Sequence, residues 1–168
     1  MGVRKAVFFL IGVSLICLAG CGNRNTSVTE SEVEKETAVI ENSDDVEEIM
    51  VMNINGTVVP VTWEDNNSVK ELSDLAKTGL EISMSMYGGF EQVGSIGSSI
   101  ARDDKQTTTE PGDIVLYSGN QLVVFYGSNS WAYTKLGKIE LSEDELTTIL
   151  SNGDVTITLS VEKEESEK

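Results

Sequence analysis

The chain has 168 residues, with 12 Lys and Arg against 28 Asp and Glu, a net charge of −16, two cysteines and no histidine. Without histidine it lacks the usual general base near neutral pH and the commonest metal ligand, which excludes zinc sites and Ser-His-Asp or Cys-His catalysis. So acidic a surface repels nucleic-acid backbones and anionic headgroups, so no nucleic-acid partner is expected and charge would not hold the chain to a membrane.

Residues 1–20 read as a leader. Arg4 and Lys5 precede an almost uncharged apolar stretch from Ala6 to Leu18. A basic start, a short apolar core and small residues before a cut site make a secretion signal. The apolar run is too short to remain as a membrane span. Leu18-Ala19-Gly20-Cys21 resembles the lipobox of bacterial lipoproteins. That resemblance implies cleavage after Gly20, a diacylglyceryl group on Cys21, and anchoring in a cell membrane facing away from the cytoplasm, since two acyl chains hold where one does not. An ordinary signal peptide with a chance cysteine is the plainer alternative. Cys17 would leave with the leader, so the mature chain has no free thiol and depends on a packed core.

Residues 21–48 are the lipidated cysteine and a tether. Nine acids from Glu30 to Glu48 face only Arg24 and Lys35, with no aromatic residue. Such a segment buries too little apolar surface to offset its chain entropy, and self-repulsion extends it. With Gly22 behind Cys21, it fits a Gram-positive outer leaflet better than a periplasmic one. Residues 162–168 read as a charged, frayed tail.

From 49 to 161 the pattern turns strand-rich. Met50–Ile54 and Thr57–Trp63 flank Asn55-Gly56, a strong hairpin signal. Ser68–Lys77 is predicted as a short helix with Ser68 and Glu71 as its capping box, ended by Gly79. Leu80–Tyr87 alternates as a half-buried strand. Ile114–Tyr117 and Leu122–Tyr126 flank Gly119-Asn120 and are apolar on both faces, so they belong in the middle of a sheet. Ser142–Leu150 is a second helix, boxed by Ser142 and Glu145, with Gly153 behind it. Val155–Val161 alternates again. Strands come in runs with helices interrupting, which favours a mainly β, closed antiparallel or mixed barrel over a doubly wound sheet.

Two stretches set aromatics between glycines: Met86-Tyr87-Gly88-Gly89-Phe90-Glu91-Gln92-Val93-Gly94-Ser95-Ile96-Gly97, and Phe125-Tyr126-Gly127-Ser128-Asn129-Ser130-Trp131-Ala132-Tyr133-Thr134-Lys135-Leu136-Gly137. Rings supply contact area and glycines let a ligand approach the backbone; glycines at barrel corners are an equal alternative. With Trp63, Asn66, Pro111-Gly112-Asp113 and Leu116-Tyr117, these motifs resemble small bacterial domains of a cyclophilin-like family. The resemblance spans nearly all of 49–161. It implies a closed eight-stranded barrel with a helix at each open end. It also implies a groove lined from Tyr87–Phe90 and Phe125–Tyr133. The Phe-His-Arg and Gln-Gly-Gly segments of authentic cyclophilins are absent, and Arg102 is the domain's sole arginine.

The residues expected to bind are Tyr87, Phe90, Phe125, Tyr126, Asn129 and Trp131, with Arg102 as a further polar contact. Arg102 is the candidate donor for a proline isomerase, although in Ala101-Arg102-Asp103-Asp104-Lys105 it would ordinarily pair with nearby acids. Glu91 is a second candidate: a partly buried carboxylate there could act as acid or base, or simply bond to backbone amides. Glu64-Asp65-Asn66-Asn67 lacks the spacing of a calcium loop and reads as a turn or cap. Neither metal nor cofactor is expected. The resulting expectation is a membrane-anchored extracytoplasmic domain binding a peptide or small ligand. A divergent peptidyl-prolyl isomerase and a docking subunit for another envelope protein are the alternatives.

Overall fold

The computed structural model describes residues 47–164. The leader, Cys21, the tether up to residue 46 and the tail from 165 lie outside them. In chain order the elements are β1 (Glu47–Ile54), β2 (Thr57–Val59), β3 (Val61–Trp63), α1 (Asn67–Ala76), β4 (Leu80–Ser83), β5 (Ser85–Tyr87) and β6 (Glu91–Ser95). They continue as β7 (Lys105–Thr108), β8 (Asp113–Tyr117), β9 (Gln121–Phe125), β10 (Ser130–Ile139), α2 (Glu143–Leu150) and β11 (Thr156–Glu164). One sheet runs β2-β1-β11-β4; the other runs β3-β10-β8-β9-β6-β5, with β7 also on β10, and the pairings are antiparallel.

The domain is mainly β with two short helices, as expected, but the closed eight-stranded barrel is corrected: the described residues form eleven strands in two open sheets. The reason lies at two corners. Thr57–Trp63 breaks at Pro60, which has no N–H to donate, and the chain passes from β1 to β10 as its partner. Leu80–Tyr87 breaks at Met84, whose N–H still donates to Val155 O at 2.8 Å before β5 turns onto β6. Each corner hands the chain from one sheet to the other, so neither ladder closes on itself.

Between the sheets lies the main core. Met52, Ile54, Leu72, Ile82, Met84, Ile114, Leu116, Leu122, Val124, Leu136, Leu146, Ile157 and Leu159 are buried there. Gly94 permits the Met84 corner: a Cβ on it would stand 2.7 Å from Ser83 O and press on Met84 and Ile82. Because backbone cannot yield like a flexible side chain, Gly94→Ala is expected to cost about 1–3 kcal/mol, measured by urea unfolding.

Local chemistry explains the rest. Asn55 and Gly56 both take positive φ, 49° and 89°, as a two-residue primed hairpin requires. The β8–β9 turn uses Ser118 and Gly119 at positive φ, one residue before the predicted Gly119-Asn120 pair, because Tyr117 pairs with Gln121 and leaves a three-residue loop. Helix α2 has the predicted capping box: Ser142 Oγ accepts from Glu145 N, and Glu145 accepts from Ser142 N. Those bonds hold the Glu145 carboxyl below its ordinary range. Helix α1 departs from expectation. Asn66 is its cap, accepting from Val69 N at 2.9 Å. Ser68 Oγ instead donates to Ala101 O, and Glu71 Oε2 accepts from Ala101 N, both at 2.7 Å. The supposed box residues thus clamp the loop that carries Arg102. At the other helix, Gln92 Nε2 donates to the carbonyls of Leu150 and Gly153, satisfying the end of α2.

Candidate functional site

β8 and β9 are apolar on both faces because the seven-stranded sheet has a second, outer cluster. Val115, Val123, Phe125 and Tyr133 are buried in it, with Phe90 and Val93 against them. Alternation puts these residues opposite the main core. Phe90 stacks on Phe125 at 6.5 Å between ring centroids; Tyr133 meets Phe125 edge-on at 5.7 Å and Tyr117 at 6.1 Å. Over this aromatic floor opens a pocket of about 270 Å³, lined by Tyr87, Glu91, Val93, Tyr117, Gln121, Val123, Asn129, Trp131 and Tyr133.

The glycine turns build the floor rather than the opening. Gly88 and Gly89 take φ of 61° and 75°, values that suit glycine, and turn β5 into β6. That brings Phe90 O to accept from both Tyr126 N and Gly127 N at 3.0 Å. A Cβ on Gly127 would stand 2.7 Å from Phe90 Cβ. Phe90 therefore sits in a glycine cradle and braces Phe125.

The residues expected to bind divide accordingly. Tyr87, Asn129 and Trp131 line the pocket, and Tyr87 and Trp131 are 67% and 56% exposed. Phe90 and Phe125 lie in the cluster beneath, Phe125 with no exposed surface. Tyr126 follows Phe125 by one residue and so turns to the main core, where its hydroxyl has no hydrogen-bond partner among the described residues. Tyr133 closes the second stretch expected to line the groove, and four lining residues were not anticipated: Val93, Tyr117, Gln121 and Val123. A step of two from Glu91 reaches Val93, and a step of two from Trp131 reaches Tyr133; strand periodicity carried the signal.

Polar groups order the rim. Asn129 Nδ2 donates to Tyr133 Oη at 3.1 Å, and Asn129 Oδ1 accepts from Ser130 N at 2.8 Å. The Asn129 backbone is tied to Thr109 in both directions. Glu91 is the exception. It is 5% exposed, and its Oε2 has no hydrogen-bond partner among the described residues. The glycine-turn amides do not satisfy it. Burial pushes its carboxyl above the ordinary range, and burial together with Glu91 pushes the Tyr126 and Tyr133 phenols up.

Arg102 lies elsewhere. It lines a neighbouring polar groove with Glu64, Asp65, Asn66 and Lys135, which shares Tyr133 with the pocket, and its Nε stands 3.5 Å from Asp104 Oδ2. Its loop is pinned further where Asp103 N donates to Thr134 Oγ1 and Thr134 Oγ1 donates to Asp104 Oδ1. Asp65 pairs with Lys70 at 2.9 Å, and Asn66 Nδ2 donates to Lys135 O, so that cluster is used in capping. Asp113 Oδ2 accepts from Glu110 N in a turn.

No curated protein matches the sequence. A model of the cyclophilin-like family matches residues 52–160, from the last three residues of β1 into β11, and so takes in strands of both sheets, both helices and the pocket. The chain belongs to the cyclophilin-like family.

Proposed function

We propose that this is a binding domain, held outside the cytoplasm at a cell membrane by lipid on Cys21, whose outer-sheet pocket takes a peptide segment or small ligand. The observation that carries the binding reading is the exposure of Tyr87, Tyr117 and Trp131 around one concave site with a buried polar group at its base. Apolar lining with a few convergent polar groups is the usual make-up of a ligand site. Arg102 does not line this pocket, so the isomerase alternative gains no support from the geometry.

Titration of the full chain with a broad peptide and metabolite pool, followed by Trp131 fluorescence, tests the pocket. Saturable shifts are expected, with binding measured by calorimetry weakened in Trp131→Ala; silence across the pool would point to a docking role. Among the described residues no helix is long and apolar enough to cross a membrane. On the proposed reading, membrane attachment depends on Cys21. Cys21→Ser should move the protein from the membrane fraction to the medium, and mass spectrometry of the parent should find an acylated amino terminus.

A further inference from the structure

The pocket's charge pattern narrows the ligand class, an inference that rests on the binding reading above. Five large apolar side chains are exposed among the described residues; three of them, Tyr87, Tyr117 and Trp131, stand at this mouth. The lining holds one acid, Glu91, and neither Lys nor Arg. Lys105, which pairs in register with Tyr133, is engaged by Asp103 at 2.7 Å. Glu91 is therefore a buried carboxylate without a counter-ion, a costly arrangement unless an incoming group supplies the charge. Ring faces carry the negative lobe of the aromatic quadrupole, so the rim and the base select the same sign. The net charge of −16 adds a field that concentrates cations and repels anions. At about 270 Å³ the pocket lies just below the ~300–1,000 Å³ of ordinary ligand sites, so it suits one head group rather than an extended segment.

We infer that the outer-sheet pocket is an organic-cation site, caging a substituted ammonium group between Tyr87, Tyr117, Trp131 and Tyr133 with Glu91 as its counter-ion. The group can belong to a free small molecule or to the end of a peptide side chain; the chemistry is shared.

Calorimetric and Trp131 fluorescence titrations of the full chain with choline, with its neutral isostere 3,3-dimethylbutan-1-ol, and with a trimethyllysine peptide test the inference. Saturable binding of choline or the peptide is expected, with the isostere weaker by about tenfold or more. Glu91→Gln should weaken the cation by roughly ten- to a hundredfold, and Trp131→Ala by about tenfold, with folding checked by circular dichroism. Preference for the peptide assigns the group to a protein, and preference for choline to a free ligand; either supports the site. Equal binding of choline and its isostere, or undiminished binding by Glu91→Gln, overturns the cation assignment. If neither cation binds while members of the broad pool do, the cation assignment falls and the binding reading stands. Silence from cations and pool alike removes both.

Discussion

Phe125→Ala is expected to lower the unfolding free energy by about 3–5 kcal/mol, while Trp131→Ala changes it by less than about 0.5 kcal/mol. Phe125 lies in the buried cluster under the pocket and Trp131 lines the pocket itself, so the two rings differ in what surrounds them. Phe125 has no exposed surface, stacks on Phe90 and takes the edge of Tyr133. Its removal leaves a cavity that β6 and β10 cannot fill, because β8 and β9 fix their separation in the sheet. Trp131 is 56% exposed and stands at the rim. Ligand titrations should rank the same variants differently: both lose binding, Trp131→Ala at full stability and Phe125→Ala through collapse of the floor. Urea denaturation of the two variants checks this, and equal stability losses would refute the separation of rim from floor.

Glu91→Gln is expected to stabilise the protein at neutral pH, by about 1–2 kcal/mol. Glu91 has an ordinary carboxyl value of 4.5 when the chain is unfolded and a raised one when it is buried. Between those two values the native state holds more protons than the unfolded state, so stability falls as pH rises. The penalty is absent below 4.5, where both states are protonated, and complete above the raised native value. The facing groups cannot offset it: the lining supplies no cation, and the Tyr126 and Tyr133 phenols are pushed up, away from this range. Glu145, with its lowered value, slopes the opposite way. The measurement is therefore the difference between parent and variant melting temperatures from pH 4 to 8. It should open with pH and reach roughly 4–8 °C in favour of the variant. A flat difference would show that Glu91 titrates normally. A destabilising acid kept in this pocket is what the binding reading proposed above expects, because a functional site is often maintained at the expense of stability.

Much of the fold was legible locally. Asn55-Gly56, the Ser142 and Glu145 box and the two-faced apolar runs of β8 and β9 appear where expected. Each is decided within a few residues, by φ preference, by a reciprocal cap or by period-two burial. Elements lacking such signals were not separated. β6 and most of β10 lie inside the aromatic-glycine stretches, and β7 is a polar strand defined only by its pairing with β10. Strand β1 begins at Glu47 and β11 runs to Glu164, past limits drawn at a change in composition, because the two strands pair along their whole length.

By itself the sequence settled the mainly β class, the two short helices and an inventory without histidine chemistry, since propensity, patterning and composition are local properties. The leader and Cys21 belong to that same reading, as expectations. Which face each ring occupies was a tertiary matter. Tyr87 and Trp131 at a rim, Phe90 and Phe125 under it, Tyr126 on the opposite side, and Arg102 clamped in another groove follow from register and from corners at Pro60 and Met84. Glu91 acquires its character the same way: the local sequence shows an acid beside glycines, and only tertiary packing buries it without providing a partner for Oε2 among the described residues.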